Sequence, residues 1–413
     1  MPRGRLVAPL QNPRSRRPLA TRRYSLPREG WTTDVPGTHR KPLWHSGRVH
    51  ILVVNAGSSS LKLRVLDEDD AVITGRDLPK VHPDRLGPIL ADFLDGGPTI
   101  DAAGHRVVHG GSAFTRPVVL DEAIDETLRA LVDLAPLHNP PCLAAVRSLQ
   151  SLRPDLPQVA CFDTSFHIDM PARAATYAVP RAWREEWGIR RYGFHGLSHE
   201  WAGHRGAELL GRPPDGLRLV TAHIGGGASL AAVASGHSVD TTMGFTPMEG
   251  LVMATRSGSV DPGLVLWVQR QHGLSADDVE TTLERRSGLL GLSGETGDLR
   301  RVIAAADAGD ADARLAYEVY TYRIQTNIAA MVAAMEGTDG LVFTGGAGEA
   351  SARLRADVCA RLGFLGIRLD EPTNAALGGD GVASPVGAAP AVLVVEARED
   401  IEIARHVREL LAP

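Results

Sequence analysis

One small unit occurs twice in this chain. The apolar run His50–Val54, the turn-rich segment Asn55-Ala56-Gly57-Ser58-Ser59-Ser60 and the alternating run Leu61–Leu66 are matched later by Leu217–Ile224, Gly225-Gly226-Gly227 and Ala228–Ala234. Apolar or alternating runs bounded by Gly and Ser read as strands joined by tight turns. A third strand follows each hairpin, near Ala71–Leu78 and at His237–Thr241. The repetition predicts a duplicated domain, and 413 residues suit two or three domains at about 150 residues each.

Helical periodicity lies between and after these units, over Glu122–Leu134, Leu143–Leu152, Ser198–Leu210, Gly263–His272, Asp277–Arg285 and Asp310–Met335. Leu341-Val342-Phe343 reads as a buried strand entering Thr344-Gly345-Gly346-Ala347-Gly348-Glu349, with a helix expected over Ser351–Leu362. A strand at Ala391–Val395 and a helix at Glu399–Leu411 complete the pattern. Strands alternating with helices predict an α/β class with mixed sheets.

Charge separates the first 48 residues from the rest. They hold 11 basic against 2 acidic side chains, whereas Val49–Pro413 holds 33 against 47. Paired arginines, scattered prolines and no apolar periodicity predict disorder there. The segment lacks the apolar stretch of an export signal, and its prolines oppose the amphipathic helix of a transit peptide. It reads as a leader ahead of the working chain, with Val49 the expected start. The acidic body argues against sequence-independent nucleic-acid binding, which needs a basic footprint, and no apolar run reaches the roughly 18 residues that span a bilayer. Cys142, Cys161 and Cys359 are too dispersed for a zinc or disulfide framework. A cytoplasmic enzyme acting on small molecules is the expectation.

Several segments are suited to anions. The turn Asn55–Ser60 followed by Lys62 can offer backbone N–H groups, the Ser58 and Ser60 hydroxyls and a positive charge to phosphate. Gly225–Gly227 is its counterpart, and Gly346–Gly348, between a strand and a helix, permits close approach of a ligand to the backbone. Arg106 beside Val107 and Val108, and Asp163 ending the apolar run from Val159, are ionisable groups in core strands and so require partners or a ligand. His138 and His195 sit in glycine- or proline-bounded settings. Metal motifs fare poorly: Gly196 is expected to break the helix between His195 and His199, and His199-Glu200-x-x-x-His204 misses H-E-x-x-H by one residue. The aperiodic stretch Asp240–Gly263 is long enough to be a functional loop, and Arg256 within it has a planar fork suited to carboxylate or phosphoryl oxygens.

Five segments together, Asn55-Ala-Gly-Ser-Ser-Ser-Leu-Lys62, His105-Arg-Val-Val-His-Gly-Gly111, Ala135-Pro-Leu-His-Asn-Pro-Pro141, Arg191-Tyr-Gly-Phe-His-Gly196 and Met243-Gly-Phe-Thr-Pro-Met-Glu-Gly250, resemble the acetokinase family. The resemblance implies two duplicated ribonuclease H-like domains of the sugar kinase, Hsp70 and actin superfamily, meeting at an active-site cleft. Residues 49–165, completed by the helix 399–413, would form the first domain and residues 166–398 the nucleotide-binding one. It implies phosphoryl transfer from ATP to acetate, giving ADP and acetyl phosphate, in a cytosolic homodimer using Mg2+ or Mn2+. Carried over by motif, Asn55 and Glu399 would serve the metal, and Ser58, Ser60 and Lys62 the ATP phosphates. Nucleotide contacts would come from His223, Ile224, Gly225, Gly226 and Gly227, from Asp298, Leu299 and Arg300, and from Gly346, Ala347, Gly348, Glu349 and Ala350. Arg106 would bind the acetate carboxylate, with Val108, Leu137, His138, Phe194 and Pro247 around the substrate. Asp163, His195 and Arg256 would be the catalytic residues.

The chain departs from the family pattern at Gly226 and Ala350, where asparagine is usual, at Ser259, where an acid is usual, and in a short Lys62–Arg106 segment. Alternatives of the same chemistry are a propionate or other short-chain acyl kinase. More distant ones are an NAD-dependent oxidoreductase using Gly346–Gly348 and an Hsp70-type ATPase.

Overall fold

The apolar run at Ile51 forms strand β1 (Ile51–Ala56), and burial of Ile51 through Val54 on both faces places it inside a sheet rather than at an edge. The computed structural model describes residues 49–57, 60–132 and 139–412. The expected leader, Ser58, Leu137 and His138 lie outside the described residues. In the first sheet β1 is joined by β2 (Ser60–Leu66), β3 (Val72–Pro79), β4 (Ala102–Val107), β5 (Val118–Val119) and β6 (Gln158–Phe162), in the order β3-β2-β1-β4-β6-β5. Strands β1, β4 and β6 are parallel, and β2, β3 and β5 run against their neighbours.

The second sheet repeats this plan. Strands β7 (Arg218–Ile224), β8 (Ala228–Ala234), β9 (His237–Thr241), β10 (Gly340–Thr344), β11 (Gly381–Val382) and β12 (Ala391–Val394) lie in the order β11-β12-β10-β7-β8-β9. Again the first, fourth and sixth strands are parallel and the others antiparallel. The hairpin registers also correspond: Asn55 faces Lys62 across β1 and β2, and His223 faces Ser229 across β7 and β8. The fold is therefore the duplicated α/β architecture expected. No helix among the described residues is long and apolar enough to cross a membrane.

The helix Glu399–Leu411 packs on β1 and β4 and against the helix Gly196–Leu209. Gly104 in β4 permits this, because a Cβ there would lie 2.4 Å from Cγ2 of Ile403 and 2.8 Å from Cγ2 of Val407.

Several boundaries differ from the sequence reading for local reasons. The helix expected from Leu143 begins at Asn139, its prolines falling in the first turn, where no N–H is needed. Residues Gly346–Ala350 form a short helix of their own before Ala352–Cys359, so the expected turn is itself helical. A helix at Pro83–Leu94 occupies the shortened segment. Gly196 opens the following helix instead of interrupting it, and a Cβ there would sit 2.3 Å from the Asp163 carbonyl oxygen.

Candidate active site

Parallel strands of an open α/β sheet deliver ligand-binding residues at their carboxyl ends, and both sheets do so into one cavity of about 620 Å³. Asn55 comes from the end of β1, Arg106 from β4 and Asp163 from the residue after β6. The second sheet contributes His223 from β7, Gly345 and Gly346 after β10, and Ala397–Asp400 after β12. The Asp240–Gly263 stretch, irregular between Thr241 and Pro262, adds Pro247 and Ala254–Arg256.

Arg106 and Asp163 form the centre. Arg106 Nε donates to both Asp163 oxygens at 2.9 and 3.1 Å, and Nη2 donates at 2.6 Å. Burial pushes the Asp163 carboxyl up, against the pull of Arg106. Burial also works against the charged guanidinium, but Asp163 and Glu399 outweigh it and hold Arg106 above its ordinary value. With a permanently charged fork bonded to both its oxygens, Asp163 is an ion-pair partner and an orienter of Arg106. Glu399 accepts from Asn55 Nδ2 at 2.7 Å and lies 3.6 Å from Arg106 Nη1. Burial alone would raise its carboxyl, yet Arg106, His223, Asn55 and Lys62 bring it below the usual range. Asn55 Oδ1 and the Glu399 carboxylate are hard oxygen donors on the cavity wall, the ligand type that Mg2+ and Mn2+ take.

His195 is held differently. It caps the helix Gly196–Leu209 with φ +57°, a left-handed conformation uncommon for a residue with a side chain. The Gly196 N–H donates to the Asp163 carbonyl at 2.9 Å, fixing the helix start against the end of β6. His195 Nδ1 pairs with Ser229 Oγ at 2.9 Å, and Ser229 Oγ also pairs with His199 Nε2 at 2.7 Å. The His195 and His223 rings are 4.4 Å apart, and His223 Nδ1 meets Ser198 Oγ at 2.7 Å. Burial, helped by neighbouring His223, Arg106 and Arg256, drives His195 well below its ordinary pKa, and burial lowers His223 to about 4. Both imidazoles are neutral at pH 7 and act as hydrogen-bonding groups.

Gly227 leaves room for this arrangement. A Cβ there would stand 3.2 Å from Cε1 and Nε2 of His195 and 3.7 Å from Nη1 of Arg256. The glycine turn is thus a gap through which two polar side chains reach the cavity. Arg256 donates from Nη1 to the Pro247 carbonyl at 3.0 Å. Burial lowers its pKa, partly offset by Glu284, from so high a value that it stays charged. Val108, Phe194 and Pro247 supply the apolar part of the wall, and Ser60, Lys62, Gly226 and Glu349 also line the cavity.

Other expected residues stand elsewhere. Asp298 caps the helix Leu299–Asp307, and Arg300 folds back onto it at 2.6 and 3.1 Å, so Asp298, Leu299 and Arg300 do not line the cavity. Ile224 and Gly348 are buried behind the wall, and Gly225, Ala347 and Ala350 are also absent from it. Sequence reasoning missed Arg64, Thr255, Arg398 and Asp400. Arg64 was within reach, because it follows Lys62 by two residues on β2 and so shares its face.

A family model described as the Acetokinase family matches residues 92–405. An acetate kinase of Synechococcus sp. is 44% identical over 402 residues, covering 88% of this chain and 99% of its own. One from Deinococcus radiodurans is 45% identical over 384 residues, covering 86% and 96%. Among solved structures, Porphyromonas gingivalis acetate kinase superposes with a TM-score of 0.81 at 37% identity, covering 88% of this chain and all of its own. A propionate kinase from Francisella tularensis gives 0.80 at 34% identity, covering 87% and 98%.

Proposed function

The chain belongs to the acetokinase family, and from that premise we propose that it is an acetate kinase, moving a phosphoryl group reversibly between ATP and acetate. The observation that carries the reading is the meeting of Arg106, Arg256, Lys62 and His195 with the apolar Val108, Phe194 and Pro247 in one cavity. Acetate has a pKa near those of Asp and Glu, about 4, so it reaches the site as an anion and needs no base to become a nucleophile. The obstacle is repulsion between that anion and the phosphoryl oxygens. Catalysis must therefore come from alignment and from positive charge around the transferred group.

Arg106, oriented by Asp163, would hold the carboxylate, and the apolar wall would take the methyl group. Arg256 and the neutral His195 would donate to the phosphoryl oxygens, with His195 oriented through Ser229. Lys62, Ser60 and the glycine turns would hold the nucleotide phosphates. Asn55 and Glu399 would hold Mg2+, or Mn2+, whose chemistry when bound is to draw negative charge from the phosphates.

We also propose the two-domain division at about residue 165, with the helix Glu399–Leu411 completing the first domain, because one strand order is used twice. A homodimer is supported by the helix Pro262–His272, which has no buried residue and leaves Leu266 and Trp267 about half exposed, at 53% and 49%. Three free, buried cysteines suit a reducing cytoplasm.

Hydroxylamine trapping of acyl phosphate, with Mg-ATP and acetate, propionate or butyrate compared, tests the reaction. Acetyl hydroxamate should form with the highest kcat/KM. Since a methylene is worth only about 1–3 kcal/mol in an apolar pocket, propionate should be a weaker substrate. No acyl phosphate from any acid would overturn the reading, and a preference for propionate would reassign the substrate.

A further inference from the structure

The helices Gly196–Leu209 and Glu399–Leu411 begin at the cleft with His195 and Glu399, and about one turn further in they meet at a second group of ionisable side chains. Glu200 and His204 are four residues apart on one helix, and Glu402 and His406 four apart on the other, so each pair shares a helix face. His406 Nε2 lies 3.3 Å from Glu200 Oε2 and 3.9 Å from Glu402 Oε1, and His204 Nδ1 lies 3.6 Å from Glu402 Oε2. Ligand atoms of Glu200, Glu402 and His406 all lie within 4.8 Å of one another.

Glu402 is only 2% exposed, and its Oε2 is buried without a hydrogen-bond partner among the described residues, as is the facing His204 Nδ1. Its ion-pair neighbours, His204 and Arg405, stand 3.6 Å away without hydrogen-bonding it, so this buried carboxylate oxygen is incompletely compensated. A tetrahedral ion with bonds of about 2.0–2.1 Å sets its ligands about 3.3–3.4 Å apart. The His406–Glu200 separation of 3.3 Å matches that spacing, and the His406–Glu402 separation of 3.9 Å is somewhat longer. Two carboxylates with an imidazole suit Zn2+ and neighbouring first-row ions, whereas Mg2+ takes oxygen ligands and keeps its waters.

We propose that Glu200, Glu402 and His406 bind a divalent transition-metal ion, Zn2+ being the best match, with water as the fourth ligand and His204 as the neighbour that orients Glu402, so that the ion staples the C-terminal helix to the Gly196–Leu209 helix. Ligation needs an unprotonated His406 Nε2, so the ion would displace to solvent the proton with which this ring pairs to Glu200. Arg405, 3.6 Å from Glu402 Oε2, is also 3.6 Å from Asp70 and 5.3 Å over the Trp201 ring, contacts that retain it when the metal takes Glu402.

The full-length protein, stripped with a chelator and then supplied with excess Mg2+ to occupy the cleft, is titrated with Co2+ as a spectroscopic probe and with Zn2+. One equivalent of Co2+ should bind with the visible absorption of a four-coordinate ion, and Zn2+ should displace it and raise Tm. His204→Ala, which leaves the Glu200–His406 contact in place, and the isosteric Glu402→Gln should each weaken binding by about tenfold or more. Melts in chelator establish that both variants are folded. Absence of stoichiometric Co2+ binding to the parent protein would overturn the proposal. So would binding that survives both substitutions, or binding abolished by Asn55→Ala but not by them.

Discussion

Arg106 and Arg256 line one cavity with two histidines that burial keeps neutral, so the fixed positive charge of the site comes from groups that do not titrate near pH 7. Arg256 lies in a stretch without regular structure, held by the Pro247 carbonyl, and in the proposed reaction its charge would matter most as negative charge spreads over the transferred phosphoryl. Arg256→Ala should lower kcat by about 10²–10³-fold with a much smaller change in KM for ATP, the pattern expected when a transition-state contact is lost. Steady-state kinetics check this, and an unchanged kcat would remove Arg256 from the mechanism. Arg106, Asp163 and Arg256 were legible in the sequence because an ionisable residue inside an apolar or glycine-rich run has few structural reasons to be there. Asp298 and Arg300 were carried over by motif alone, and a helix cap with a folded-back arginine uses the same residue types. The close approach at Gly227 was invisible, because it depends on a histidine 32 residues earlier reaching across to the turn.

Strand ends and helix starts place these side chains. Periodicity located the strands well, since apolar runs bounded by glycine and serine leave few alternatives. Helix starts were harder to read. Pro140, Pro141 and Gly196 look like breakers, yet all lie in first turns, where a missing N–H or Cβ is harmless or required. The contact of the helix Glu399–Leu411 with β4 depends on Gly104, and even one methyl group there must displace Ile403 and Val407. Gly104→Ala should destabilise the protein by about 1–3 kcal/mol in urea melts. It should also lower kcat, because the displaced helix carries Glu399 at its first turn. A fully stable and active variant would show that the helix can shift freely without disturbing the site.

Across the molecule, two sheets with one strand order enclose several uncharged histidines. His105, His109 and His167 are each lowered to about 4 by burial. Unfolding restores them to about 6.5, so below that pH the unfolded chain binds protons that the native one does not. Stability should therefore fall as pH drops from about 6.5 towards 4, and Tm measured across that range should decline steadily. A flat Tm would mean that these rings are protonated in the fold. Oligomeric state belongs to the same scale: if the proposed homodimer uses the helix Pro262–His272, Trp267→Glu should turn a dimeric parent into a folded monomer by sedimentation, while a persistent dimer would move the interface elsewhere and a monomeric parent would remove the homodimer. The duplication was legible from two matching hairpins, but the fifth and sixth strands of each sheet were not paired up, because β5 and β11 have only two residues each. The placement of the last helix has a consequence for synthesis. It covers β1 and β4, among the first strands to leave the ribosome, and brings Glu399 to them. Until that helix has been made, that face of the nascent sheet stays bare and the cleft lacks Glu399, so the site is completed only after both sheets have been synthesised.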